Sequence, residues 1–150
     1  MKKKTGLILA LLACALLAVF LTQYRLVIVS GDSMFPTYKN GEFVLMSRNT
    51  EQIHAGDVIA FSRPDGELIK RVAALGGDTA EYDPQGGTLY VNGRLVSVFE
   101  KEPAGTKQTC RIPEDCFFVL GDNLNESIDS RYETVGLVKK EEITGITTAE

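Results

Sequence analysis

Apolar and polar positions divide the chain into two unequal parts. Residues 6–21 run for sixteen positions without a charged or strongly polar side chain, behind Lys2, Lys3 and Lys4 and ahead of Thr22, Gln23, Tyr24 and Arg25. That is close to the lower limit of about 17 residues for a helix that crosses a bilayer. Lysines on the short N-terminal side keep that side in the cytoplasm. The pattern therefore predicts a basic cytoplasmic tail over residues 1–5, an uncleaved, single-pass transmembrane anchor over 6–24 and a domain outside the cytoplasmic membrane over 25–150. A cleavable secretion signal and a lipoprotein box at Leu11-Leu12-Ala13-Cys14 are the competing readings. Residues 16–21 stay apolar past either cleavage point, where a mature exported chain normally turns polar, so the anchor is preferred.

After the anchor the period changes. Short runs rich in β-branched and aromatic residues, at 24–29, 42–46, 57–61, 67–73, 88–91, 95–99 and 116–120, read as strands. Asn40-Gly41, Gly56-Asp57, Asp65-Gly66, Gly76-Gly77-Asp78, Asp83-Pro84, Gly86-Gly87 and Asn92-Gly93 separate them as turns. Val91-Asn92-Gly93-Arg94 is a two-residue hairpin signal. No stretch beyond residue 24 keeps helical periodicity for three turns. The expected fold is mainly β: an antiparallel sheet or barrel-like domain behind an N-terminal transmembrane helix, with a minimal or absent second domain.

Composition supports a folded domain and narrows its partners. The 150 residues are 44% hydrophobic and 24% charged, with a formal net charge of -4. Of 16 basic side chains three are the leading lysines, which leaves 13 against 20 acidic ones in the rest of the chain. An acidic body argues against nucleic acid as a partner. Cys110 and Cys116 enclose five residues, too few other ligands for a metal signature; outside the cytoplasm a disulfide and two free thiols both remain open.

Candidate chemistry begins at Val29-Ser30-Gly31-Asp32-Ser33-Met34-Phe35-Pro36-Thr37. Gly31 permits unusual backbone angles and close approach of another chain, and Pro36 stiffens the exit of the turn. Such a turn can present Ser33 Oγ as a nucleophile and free its N–H for an oxyanion. The one histidine, His54, precedes a turn and reads as a solvated loop residue. In Glu67-Leu68-Ile69-Lys70-Arg71-Val72-Ala73, alternation puts Leu68, Lys70 and Val72 on one face and Arg71 on the other. An inward lysine is unusual, and burial favours its neutral, basic form. At its reference pKa of about 10.4 only about one lysine in 2,500 is neutral at pH 7, so burial decides whether Lys70 can act as a base. Local alternation does not choose which face is inward. Gly121-Asp122-Asn123 through Ser127-Ile128-Asp129-Ser130-Arg131 packs short polar groups directly after a buried-looking strand; they can satisfy one another and a buried lysine, but lack the spacing of a calcium loop.

Together, Gly31-Asp32-Ser33-Met34-Phe35-Pro36-Thr37, Gly56-Asp57-Val58-Ile59-Ala60-Phe61, Leu68-Ile69-Lys70-Arg71-Val72 and the segment from Gly121 to Arg131 resemble the bacterial type I signal peptidases, membrane-bound serine proteases with a Ser-Lys dyad. The motifs occur in the family's order behind an anchor and cover nearly the whole chain. The resemblance implies that Ser33 is the nucleophile, Lys70 the general base and the Ser33 N–H an oxyanion donor, with Gly31 where some members carry an extra serine hydroxyl. It implies that Ser127 orients Lys70, that Asp129 and Arg131 form a supporting ion pair, and that Met34 and Pro36 support the nucleophile turn. Substrates would be preproteins, cut after small residues of an Ala-x-Ala type site, bound extended along Val27, Ile28, Val29 and Leu68; the other partner would be the lipid bilayer, and no metal or cofactor is required. The chain departs from the family at Gly76, where proline is usual, and at Leu124, Asn125 and Glu126. The segment from Asp78 to Thr109 is too short for the large second domain of some members. A self-cleaving Ser-Lys repressor would need a DNA-binding segment where the anchor stands. The remaining alternative is a non-catalytic, membrane-anchored β-domain that binds exported peptides.

Overall fold

The computed structural model describes residues 2–100 and 106–147, with the side chains of the first helix described at Gly6, Ile8 and from Leu11 onward. Helix α1 (Lys2–Gln23) passes directly into β1 (Tyr24–Ile28). Then come β2 (Phe43–Ser47), β3 (Val58–Arg63), β4 (Gly66–Ala74), β5 (Thr79–Asp83), β6 (Thr88–Val91), β7 (Arg94–Val98), β8 (Gln108–Arg111), β9 (Cys116–Leu120), β10 (Val138–Lys139) and β11 (Ile143–Thr147), with one 3-10 turn at Lys140–Glu142. Residues 6–24, expected as a transmembrane anchor, fall in α1 up to Gln23, with Tyr24 already in β1. Among the described residues, no helix is long and apolar enough to cross a membrane.

The strands form two antiparallel sheets, one in the order β1-β2-β11-β3-β4-β9-β10 and a smaller one in the order β7-β6-β5-β8. Strand β3 explains its own sequence. Ile59 and Phe61 enter one core with Val72, Phe117, Val119, Val135 and Val138, while Val58 and Ala60 enter another with Val27, Val29, Met34, Val44, Met46 and Ile69. A strand covered on both faces needs no polar positions, so Val58-Ile59-Ala60-Phe61 reads as an unbroken apolar run. Edge strand β1 alternates instead: Val27 is buried while Leu26 and Ile28 face outward.

All seven expected runs are strands, with ends shifted by a few residues. Asn92 and Gly93 both have positive φ, 51° and 75°, as a two-residue hairpin turn joining β6 to β7 requires. Four strands were not legible. β8 (Gln-Thr-Cys-Arg) is exposed at every position, and β10 is two residues long. β5 interleaves Glu81 and Asp83 with buried Ala80 and Tyr82. β11 carries Gly145 at its centre, because a Cβ there would meet Met46 Cβ at 3.0 Å and Arg25 Cδ at 3.6 Å. Close passage of neighbouring side chains, not strand propensity, selects that glycine.

The segment between the two halves of the main sheet is more ordered than a loop. Its β5, β6, β7 and β8 make the second sheet, whose core of Ala80, Tyr82, Leu89, Val91 and Phe99 continues into Ala74, Phe118 and Leu120 of β4 and β9. The two sheets therefore share apolar packing, and the second is an appendage of minimal size.

Candidate active site

The site is built where the main sheet fails to close. β1 pairs only with β2. On β4, residues 66–70 pair with β3, and pairing with β9 starts only at Arg71. These two unpaired edges face each other across a groove of about 540 Å³ that Arg25, Val27, Val29, Ser33, Glu67 and Lys70 help to line.

Residues 31–37 form a tight turn at the end of β1. Gly31 has φ +83° and its N–H donates to Asn40 Oδ1 at 3.0 Å, so the left-handed geometry that favours glycine is used here. Met34 is 1% exposed and packs in the core with Val27, Val29 and Ile69, which holds the turn against the sheet. Pro36 follows Phe35 through a cis peptide bond and is exposed. From the other side, Asn123 N–H donates to Ser33 O at 3.0 Å and Asn123 Nδ2 to Asp32 O at 3.1 Å. The Ser33 N–H has no hydrogen-bond partner among the described residues.

Lys70 Nζ stands 2.7 Å from Ser33 Oγ and donates to Ile69 O at 3.0 Å. The lysine is 3% exposed. Leu68 and Val72, its neighbours on the same strand face, pack on the core around Ile59 and Phe61, while Ile69 on the opposite face enters the other core, so this part of β4 is covered on both sides. Burial pushes the amine down from its ordinary value of 10.5, and the charges of Asp129 and Asp122 oppose that only in part.

The polar segment after β9 splits into two braces. Asp129 and Arg131, fully buried at 0% and 1% of side-chain exposure, pair through Nε to Oδ1 at 2.8 Å. Burial works against the Arg131 charge, but the Asp129 carboxylate more than offsets it and holds the guanidinium above its ordinary value. Arg131 Nη2 also donates to Leu124 O at 2.6 Å and Ser127 O at 3.2 Å. Those bonds go to main-chain carbonyls, so the unusual side chains at Leu124, Asn125 and Glu126 do not disturb this brace. Asp129 Oδ2 accepts from Gly121 N–H at 3.0 Å.

The second brace was missed in the sequence. Arg71 donates to both Asp122 oxygens at 2.7 and 2.6 Å and to Gly56 O at 2.6 Å, and Thr37 Oγ1 donates to Asp122 Oδ2 at 2.5 Å. This chain of bonds ties the strand that carries Lys70 to the turn that carries Ser33. Its members were visible as neighbours of Lys70 and of Gly121, but their pairing joins positions 51 and 85 residues apart.

One expected contact is not found among the described residues. Ser127 is buried, yet its Oγ has no hydrogen-bond partner and does not bond Lys70. A Cβ on Gly121 would overlap the Ser127 side chain, and Lys70 Nζ donates to the Ile69 carbonyl instead. Cys110 and Cys116 are free thiols; Cys110 lies in the small sheet and Cys116 opens β9 of the large one. His54 is 72% exposed and pairs loosely with Asp57 at 3.5 Å, outside the groove. Val27, Ile28, Val29 and Leu68 all line the groove. Among the described residues, no cluster of three or more His, Cys, Asp and Glu side chains could hold a metal ion.

The profile of the family described as signal peptidase, peptidase S26, matches residues 3–149. The chain belongs to this family. Among its relatives, signal peptidase I S of Bacillus subtilis (strain 168) is 32% identical, with 79% of this chain and 71% of the relative covered. Signal peptidase I V of the same organism is 34% identical over 79% and 80%, and signal peptidase I of Bacillus licheniformis 31% identical over 93% and 82%. A crystal structure of a signal peptidase I from Enterococcus faecalis V583 has 33% identity and a TM-score of 0.50, covering 65% of this chain and 98% of that one. The antiparallel β architecture is thus the signal peptidase I fold, and the family is one of serine endopeptidases.

Proposed function

We propose that this signal peptidase removes signal peptides from preproteins by a Ser33–Lys70 dyad. The observation that carries the reading is a lysine 3% exposed with its Nζ 2.7 Å from a serine hydroxyl, in an open groove. Neutral Lys70 accepts the Ser33 proton as Oγ attacks the scissile carbonyl. The resulting oxyanion lies against the unpartnered Ser33 N–H, with Gly31 allowing close approach. Collapse breaks the C–N bond, and the Lys70 ammonium returns its proton to the leaving amine. The mature protein departs, leaving the signal peptide esterified to Ser33. Lys70 then takes a proton from water, the resulting hydroxide cleaves the ester, and the Lys70 ammonium gives that proton to the departing Ser33 Oγ, which restores both residues. Asp129, Arg131, Ser127, Met34 and Pro36 support the geometry and touch no reacting atom.

The substrate enters as a strand. β1 and β4 run parallel to each other on either side of the gap, since three strands separate them in an antiparallel series. An extended peptide there meets unpaired backbone on both sides, and Val27, Ile28, Val29 and Leu68 form the walls that favour small side chains at the first and third positions before the cut.

We further infer that residues 6–24 anchor the chain in the cytoplasmic membrane, with residues 1–5 inside and 25–150 outside. The sixteen-residue run 6–21 without a charged side chain, behind Lys2, Lys3 and Lys4, supports this reading. Leu11, Leu12, Leu16, Leu17, Val19 and Leu21 of that run are exposed on every side, as suits contact with lipid. The exposed cross-strand pairs Leu26–Leu45 and Ile28–Phe43 continue that apolar surface onto the domain. A non-catalytic peptide-binding domain offers no reason to bury a lysine against a serine. The test is incubation of the purified full chain with a preprotein bearing an Ala-x-Ala site, followed by N-terminal sequencing of the product. Cleavage after that site is expected, and its survival in Ser33→Ala would overturn the reading.

A further inference from the structure

We propose that Arg25 and Glu67 form a tie across the substrate groove that fixes its width at the end remote from Ser33, and so set stringency at the third position before the cut. The inference rests on the peptidase reading above. Arg25 belongs to β1 and Glu67 to the unpaired part of β4, the two edges that no backbone hydrogen bond joins. Arg25 Nη1 and Nη2 donate to Glu67 Oε1 and Oε2 at 2.8 and 2.9 Å, a bidentate pair with side chains 23% and 28% exposed. Among the described residues these are the only side-chain hydrogen bonds between the two edges. Both residues line the groove.

Two further features support the pair. Thr144 Oγ1 lies 2.5 Å from Glu67 Oε1 and 3.2 Å from Ala60 O, which fixes the carboxylate from β11. Arg25 Cδ passes within van der Waals reach of Gly145, next to Thr144 on β11, so the arginine stem runs along the same strand that holds the carboxylate. A planar guanidinium on a carboxylate resists changes of separation better than a single point contact.

The consequences follow from position. The Ser33 end of the groove is held by the Asn123 and Arg71–Asp122 bonds, independently of this pair. From Val29 back to Arg25 is roughly 13 Å at about 3.3 Å per strand residue. The tie therefore ends the strand-binding segment after about four substrate residues, and it stands nearer the third position than the first. Releasing it lets the gap widen at the third position while the first keeps its walls.

The experiment compares kcat/KM of the full chain for three preprotein peptides: one with Ala at both the third and first positions, one with Leu at the third, and one with Leu at the first. Arg25→Ala and the near-isosteric Glu67→Gln are measured beside the unsubstituted chain, with thermal melts to verify folding. The Ala-over-Leu preference at the third position is expected to fall about 5- to 10-fold in both variants, with the first-position preference unchanged. An unchanged third-position preference, or an equal fall at both positions, overturns the tie alone. Failure of the unsubstituted chain to cut the Ala peptide overturns the peptidase reading and the tie with it.

Discussion

Lys70 Nζ lies 2.7 Å from Ser33 Oγ although the two residues come from a turn and a strand 37 positions apart. Among the described residues the amine has no carboxylate in hydrogen-bond contact, so it is held by a hydroxyl and a carbonyl, neither of which fixes a positive charge strongly. Replacement of Lys70 by Met keeps the bulk and removes the base. Cleavage is expected to fall by at least about 10²–10⁴-fold, measured as single-turnover rate on a preprotein, with the circular-dichroism spectrum unchanged.

The pH dependence follows from the lowered Lys70 value. In the proposed mechanism the neutral amine is the active form, so kcat/KM is expected to rise with pH through a limb that lies below 10.5. Stability has the same sign. Between the folded and unfolded values the unfolded chain binds more protons, so wild-type stability rises with pH across that window, and below the folded value the penalty is complete. Lys70→Met should therefore be the more stable protein at low and neutral pH, with an advantage that shrinks toward pH 10.5. Denaturant unfolding of both proteins over a pH series measures this; an advantage that grows with pH would contradict it.

Gly121 joins the two halves of the site. A Cβ at this position would overlap the Ser127 side chain and come within 2.5 Å of Ser33 O. Gly121→Ala must displace the nucleophile turn or the Ser127 loop. A loss of about 1–3 kcal/mol in stability is expected, together with a fall in kcat larger than any change in KM, read from denaturant melts and steady-state kinetics.

The Asp129–Arg131 pair is buried and each partner serves other groups, so removing one leaves a desolvated charge. Asp129→Ala is expected to cost about 3–5 kcal/mol, and it also frees the Gly121 N–H. Replacing both residues by apolar ones should cost less than Asp129→Ala alone, which a double-mutant cycle on thermal stability checks.

Gly76 stands where the family usually has proline, and the fold supplies the reason. A Cβ there would overlap the backbone carbonyl of Glu114, which cannot swing aside as a side chain does. Gly76→Ala and Gly76→Pro should each lower stability by about 1–3 kcal/mol, seen as a reduced melting temperature, despite restoring the more usual residue in the second case.

Much of this site was legible in the chain because the information was local. Ser33 follows a glycine turn at a strand end, and Lys70 sits between Leu68 and Val72 on a strand that proved covered on both sides. Asp129 and Arg131 are two residues apart and found each other. The Arg71–Asp122–Thr37 brace was not legible, since nothing near Arg71 names a partner 51 residues away. The surroundings of Ser127 were not legible either: its buried Oγ lies against Gly121 with no hydrogen-bond partner among the described residues, a closeness the order of residues does not display.

By itself the sequence determined the apolar N-terminal segment, the β character of the rest, the hairpin at Asn92-Gly93 and the candidates Ser33 and Lys70, because period, turn chemistry and motif order are properties of neighbours. Tertiary structure decided that both faces of β4 around Lys70 are covered, how far Lys70 is buried, and that the main sheet stays open between β1 and residues 66–70. It also decided the uses of β11, whose glycine makes it a poor strand in isolation, yet which fills the centre of the sheet and passes Arg25 across to Glu67. These depend on contacts between distant segments, and the free energy of such contacts is written only in the packed chain.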